Sequence, residues 1–188
     1  LAGARYERTE LEGSAAEFNE ETEEFSQLRA SRSYGHFLPS VHLRYELSPD
    51  SILRASYSTG INRPDFMHTA PYRIIGENPW DNITVGNPDV DAAYAHNLDV
   101  SFERYLRPLG LVSAAAFYKR IEDPLFIANS YESWEVVDPD DGTVDIVNQR
   151  ITRPENGDKG SIYGLELTWQ QTFDMLPGPF NGLGVYAN

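Results

Sequence analysis

Cysteine is absent from all 188 residues, which excludes disulfide scaffolds, thiolate metal sites and cysteine nucleophiles. No run of 18 apolar residues occurs, so no transmembrane helix is expected. Nor does an initiating Met, a basic leader or an apolar signal core precede the first strand-like segment. The expectation is a chain that starts downstream of whatever addressed it. Basic residues are scarce, 15 Lys and Arg against 29 Asp and Glu, a balance that disfavours nucleic acid as a partner. The four histidines, His36, His42, His68 and His96, are dispersed and form no metal-ligand spacing. Nucleophile-elbow, phosphate-loop and dinucleotide motifs are missing as well. The sequence is thus expected to be no enzyme, with no cofactor and no metal.

The acidity that is present is unevenly placed. Residues 10–35 hold seven acidic and two basic side chains, 61–92 hold five and two, and 122–160 hold ten and three. These three long, polar stretches carry the whole negative charge, and the remainder is close to neutral. They alternate with three short polar turns at 47–51, 105–110 and 174–182. One rim of the molecule is therefore expected to be long-looped and acidic, and the other short. A solvated surface that aids solubility accounts for such charge as well as a cation-attracting field does.

Between the connections the side chains alternate with a period of two. Val41, Leu43, Tyr45 and Leu47 oppose His42, Arg44 and Glu46; Leu53, Ala55 and Tyr57 oppose Arg54, Ser56 and Ser58. Leu98, Val100 and Phe102 oppose Asn97, Asp99, Ser101 and Glu103, and Tyr163, Leu165, Leu167 and Trp169 oppose Gly164, Glu166 and Thr168. This period belongs to strands, not helices. Residues 2–9 and 182–188 fit as half-strands. Residues 111–118 are apolar on both parities, which leaves their faces open.

These segments span about 8–13 residues, near the 9–11 with which a tilted strand crosses a bilayer. Aromatic residues collect at both strand ends. Tyr45, Phe102, Tyr105, Trp169 and Phe173 lie by the short turns; Phe37, Tyr94, Tyr118 and Tyr163 lie toward the long stretches. Leu, Val and Ala hold the middle, as between two interfacial aromatic belts. The expected fold is all-β: about seven strands of an antiparallel up-and-down transmembrane β-barrel, with short periplasmic turns and long extracellular loops. Fewer strands than the eight of a small barrel imply an open sheet with raw edges that is aggregation-prone in water.

Several stretches then combine. Phe37-Leu-Pro-Ser40 leads into Leu43-Arg-Tyr45, followed by Leu53-Arg-Ala-Ser-Tyr-Ser-Thr-Gly-Ile-Asn-Arg-Pro64 and Val85-Gly-Asn-Pro88. Next come Asn97-Leu-Asp-Val-Ser-Phe-Glu103, Phe117-Tyr-Lys119, the run G-S-I-Y-G-L-E-L-T over 160–168, and Gly184-Val-Tyr-Ala-Asn188. In this order and spacing they resemble the β-barrel domain of TonB-dependent outer-membrane receptors. The resemblance implies a barrel of about 22 strands in the complete protein, of which residues 1–188 are part of a single outer-membrane domain. It implies an N-terminal plug domain and closing C-terminal strands outside this chain, outer-membrane lipid around it, and TonB reached through the plug. It also implies residence in the Gram-negative outer membrane and import of a small-molecule ligand. Ferric siderophores are the commonest class, and oligosaccharide or cobalamin are other members' substrates.

Two sets of residues become candidates. Arg44, Arg54, Asp99, Glu103 and Glu166 share the polar parity and are expected to face the lumen and the plug. Tyr72, Arg73, Trp80, Tyr131 and Trp134 are expected in exposed loops, where rings and a cation suit ligand contact, although packing of loop on loop explains the rings slightly better. Gly164 within a strand is read as a place for a kink or for close approach of the plug backbone. Residues 138–145, rich in Asp, have Gly at the fifth position and no Glu at the twelfth, so a hairpin tip fits better than a calcium loop. A soluble all-β carbohydrate-binding module and a plug-less porin are the competing readings. A hydrolase built on His42 and Ser56, neighbours on the lumen parity, is the weakest.

Overall fold

The computed structural model describes residues 1–19, 24–74, 82–137 and 142–188. Its main sheet has seven antiparallel strands, the number expected. In chain order these are β1 (Ala2–Asn19), β2 (Glu24–Ser48), β3 (Ser51–Asn62), β6 (Ala93–Leu106), β7 (Leu109–Glu122), β10 (Lys159–Phe173) and β11 (Leu183–Ala187). Consecutive strands of this sheet are neighbours in space, as in an up-and-down meander. A single helical turn, α1 (Phe66–Thr69), is capped by the Asp65 carboxylate, which accepts from the Met67 N–H.

Register lines up the apolar parity into transverse rows. Leu43, Ala55, Val100, Ala116 and Leu165 form one row; Tyr45, Leu53, Phe102, Ala114 and Leu167 form the next. Among the described residues nothing covers them: Leu43 is 64%, Val100 42% and Leu167 68% exposed. Each large apolar side chain left in water forgoes roughly 1.5–3 kcal/mol, so the rows call for apolar surroundings. The same rows resolve 111–118. Ala114 and Ala116 belong to the apolar face, while Ala115 stands between Ser101 and Glu166 on the polar one.

The opposite face carries the rows Arg44–Arg54–Ser101–Ala115–Glu166 and His42–Ser56–Asp99–Phe117–Gly164. It is hollow, with a groove of about 490 Å³ bordered by His42, Arg44, Arg54, Ser56 and Asp99. Gly164 has its own explanation here. A Cβ at 164 would lie 2.6 Å from the Phe117 ring, so within this chain it is the cross-strand aromatic that approaches this glycine.

Two of the acidic stretches, 10–35 and 122–160, are built largely of strand, whereas the described part of 61–92 is mostly loop. The pairing of β1 with β2 continues unbroken from Ala2↔Val41 to Asn19↔Glu24, whereas β2 pairs with β3 only from Ser40↔Ser58 onward. Above Ser40 the two strands leave the sheet as a ribbon. Pro39, which has no N–H to donate, marks the departure. There the Thr59 hydroxyl donates to the Pro39 carbonyl (3.0 Å) and the Tyr94 hydroxyl to that of Phe37 (2.8 Å), replacing the ladder bonds.

A second sheet stands over the rim. It joins β4 (Arg73–Ile74), β5 (Ile83–Val85), β9 (Val144–Asn156) and β8 (Leu125–Val137) in that order, with β5 parallel to β9 through Ile83↔Ile151. The Val137↔Val144 pair closes a hairpin, as expected for 138–145, although residues 138–141 lie outside the described residues. Here, and not in the body, lies most of the core: Ile83 and Val90 are 1% exposed, with Ala92 and Ile151 buried as well.

Candidate functional site

Of the residues expected to face the lumen, all five lie on the hollow face, and four have hydrogen-bonding partners on it. Arg54 Nε meets Glu103 Oε1 at 3.0 Å, and the Tyr105 hydroxyl donates to Glu103 Oε2 at 3.2 Å. Arg44 Nη1 meets Glu46 Oε1 at 2.6 Å, and Ser56 donates to Asp99 Oδ2 at 3.3 Å. Glu166 borders a second groove with Asn97, Asp99 and Lys119. Ser56 stands between His42 and Asp99, and its hydroxyl hydrogen goes to the carboxylate. That order leaves no imidazole positioned by an acid to activate the serine, so this row does not form a nucleophilic triad.

The expected ligand contacts divide. Tyr72 is half-buried, its ring packed on Gly86, where a Cβ would come within 3.0 Å of it; its N–H donates to the Ala70 carbonyl at 3.0 Å. It ties the loop together. Arg73 is exposed on β4, at one edge of the rim sheet, and Tyr131 is 73% exposed on β8, at the other edge. Three strand spacings, on the order of 14 Å, separate those edges. Trp80 and the side chain of Trp134 lie outside the described residues.

Register reveals polar groups that no motif marked. Tyr131 faces Arg150 across the hairpin. Arg150 Nε donates to Asn129 Oδ1 at 3.0 Å, the Thr152 hydroxyl donates to the same oxygen at 3.0 Å, and Ser133 donates to Asn148 Oδ1 at 2.6 Å. Only the parity of 144–156 hinted at this, and parity is mute until the hairpin partner is known.

The segment between β3 and β6 is tied on both flanks. Arg32 donates to the Val90 carbonyl at 2.8 Å and pairs with Asp91, while Arg63 donates to Thr9 at 2.9 Å and pairs with Glu7. On the other side, Asn156 Nδ2 donates to the Asp91 and Asp123 carbonyls at 3.1 and 2.9 Å, and Asn87 Nδ2 donates to that of Pro154 at 3.0 Å. A run of rings, Tyr34, His36, Tyr94, His96 and Tyr57, fills the wedge where the ribbon leaves the sheet. No group of three or more metal-ligating side chains occurs among the described residues.

Comparison with known proteins agrees with this architecture. The profile of the family described as TonB dependent receptor-like, beta-barrel, matches residues 1–188. A search of curated protein sequences finds no match. Among solved structures, the siderophore receptor PirA from Acinetobacter baumannii superposes with a TM-score of 0.57 at 15% identity, over 89% of this chain and 25% of that one. A mutant of the ferric enterobactin receptor PfeA from Pseudomonas aeruginosa gives 0.59 at 18% identity, over 89% and 24%. The Serratia marcescens hemophore receptor HasR, in complex with its hemophore HasA and heme, gives 0.58 at 16%, over 90% and 28%. Identities this low carry the fold alone, and the chain spans about a quarter of the length of these receptors. With an open seven-stranded meander, apolar on one face and hollow and polar on the other, the chain belongs to the TonB-dependent receptor β-barrel family.

Proposed function

We propose that residues 1–188 form one wall of the single barrel domain of a TonB-dependent importer in the Gram-negative outer membrane, and that the imported ligand is a ferric siderophore. The observation that carries this is the pair of uncovered apolar rows through Leu43 and Leu165 and through Leu53 and Leu167, backed by a charged, hollow face. Lipid satisfies the first face, and a plug domain with water satisfies the second. In this reading Arg44, Arg54, Asp99, Glu103 and Glu166 hold the plug side of the wall, and Tyr131 and Arg73 belong to the ligand-facing rim with Trp80 and Trp134. The short turns face the periplasm, from which TonB works through the plug. A soluble carbohydrate-binding module would need those rows buried, and they are not.

The full-length receptor, expressed in an outer-membrane host lacking its own ferric-chelate receptors, tests this. Growth on an otherwise inaccessible ferric chelate, abolished by loss of TonB, is expected. Uptake that persists without TonB, or a leak of small sugars through the unliganded protein, would point to a plug-less porin instead.

A further inference from the structure

The apolar parity carries a cation near the short turns. Next to the row Leu53–Phe102–Ala114–Leu167 lies the row Ser51–Arg104–Val112–Trp169, which puts an exposed guanidinium on the lipid-facing side. Among the described residues nothing neutralises it. Of the carboxylates at this end, Glu46 and Glu103 hold Arg44 and Arg54 on the hollow face, and Asp50 holds Arg107 in the turn. Asp174 stands in the next turn, five residues beyond Trp169 and so about 16 Å further along that strand. Ala93, where β6 begins beneath the rim, is about 36 Å away along β6, so the rim and its carboxylates are far off. The outer end of the same parity differs. There Arg120 Nε pairs with Glu122 at 3.6 Å, and Lys159 stands directly across from Glu122. Cations at that end are compensated, and Arg104 is not.

A groove leads away from Arg104. Between Val112 and Tyr118, β7 presents Ala114 and Ala116 on the apolar face, while Phe102 and Val100 of β6 stand on one side and Leu167 and Leu165 of β10 on the other. The large side chains form two walls, two strand spacings or roughly 9.5 Å apart at the backbone, over a low floor. Tyr118, whose hydroxyl lies 3.3 Å from that of Ser161, closes the outer end. The other end opens between Arg104 and Trp169. From Val112 to Tyr118 the groove runs about 20 Å along the strand, which is about 15 Å of depth at a tilt of ~40°. That is half of a ~30 Å hydrocarbon core, the depth of one leaflet. The cation gives this groove a direction: apolar through a leaflet, positive where the headgroups begin.

We propose that Arg104 and this groove hold one anionic glycerophospholipid of the periplasmic leaflet. The phosphodiester oxygens take the guanidinium, which receives two oxygens at once. An acyl chain lies along Ala114 and Ala116, and the Trp169 indole sits at the level of the glycerol esters. A choline lipid brings a cation of its own beside the guanidinium and is the weaker ligand. The site lies on the outside of the wall, at the end away from the rim, and is separate from any imported ligand. It rests on the reading of the chain as a lipid-embedded wall with its short turns in the periplasm, and names the lipid that wall holds.

The test uses the full-length receptor in detergent and counts bound lipid by native mass spectrometry as phosphatidylglycerol or, separately, phosphatidylcholine is added. Wild type is expected to bind its first phosphatidylglycerol at least fivefold more tightly than phosphatidylcholine. Arg104→Gln should lower phosphatidylglycerol affinity at least fivefold, and Arg104→Lys should lower it less. Ala114→Leu combined with Ala116→Leu fills the groove, leaves the charge, and should weaken binding severalfold. Arg120→Gln, at the outer end, should change nothing. All variants are compared as species that keep the heat-modifiable mobility of a folded barrel. Unchanged binding by Arg104→Gln overturns the proposal, as does unchanged binding by the double leucine variant, an equal loss in Arg120→Gln, or a wild type without preference between the two lipids. Each of these leaves the membrane reading intact. A full-length receptor that stays monomeric in water without detergent removes both readings together.

Discussion

In the body of the sheet the large apolar side chains of the outward rows, such as Leu43, Val100 and Leu167, stay exposed, while in the rim Ile83, Val90 and Ile151 are buried to 5% exposure or less. The two regions are solvated differently. Rows such as Leu43–Ala55–Val100–Ala116–Leu165 need no partner layer if lipid supplies it, so small Ala and large Leu alternate without leaving a void. The rim stands in water and must build a core of its own. It does so by laying the segment between β3 and β6 against the β8–β9 hairpin, so that Ile83 packs beside Ile151 and Arg32 and Asn156 fasten the two flanks. One chain thus carries two hydrophobic economies, and each fails under a different substitution.

Ile83→Ala should break the rim side of this comparison most severely. Removing a nearly inaccessible Ile costs about 2–5 kcal/mol, and the loss should be confined to the rim. Limited proteolysis of the full-length receptor in vesicles should then cut within 61–92 while the barrel keeps its heat-modifiable mobility. Loss of that mobility would show that body and rim are one cooperative unit. On the body side, Leu167→Arg places a charge in the lipid-facing row and should cost about 2–4 kcal/mol of folding stability in bilayers. Ser101→Arg, on the hollow face, should cost less than 1 kcal/mol. Equal effects of the two in a urea titration of vesicle-reconstituted protein would erase the distinction between faces. The mildest change, Asn156→Ala, frees the Asp91 and Asp123 carbonyls and should cost about 1–2 kcal/mol, visible as faster amide exchange around 90–93 and 123 and nowhere in the body.

The body was largely legible before any coordinates because its two faces meet unlike media. Val41, Leu43 and Tyr45 against His42, Arg44 and Glu46 permit only one parity. Residues 111–118 resisted because Ala is acceptable both to lipid and to a crowded polar face; only pairing with Val100 and Leu165 told Ala116 from Ala115. The strands that run through 10–35 and 122–160 were not read from the sequence for a related reason. In the ribbon, Glu10, Glu12 and Ser14 alternate with Leu11, Gly13 and Ala15, too weak a pattern to mark a strand, because a ribbon paired only with itself needs little apolar surface. Arg150 escaped notice since its meaning depends on Asn129 and Tyr131, some twenty residues away and adjacent only through the hairpin register.

The central claim is that the apolar parity meets lipid and the polar parity meets water, and alternate-position labelling tests it most directly. Spin labels on Leu165→Cys, Glu166→Cys and Leu167→Cys in the reconstituted full-length receptor would be probed with molecular oxygen and with a water-soluble nickel chelate. High oxygen and low nickel accessibility at 165 and 167, with a low oxygen-to-nickel ratio at 166, is the predicted result. Protection of 165 and 167 from both reagents would place them in a protein core and contradict the account.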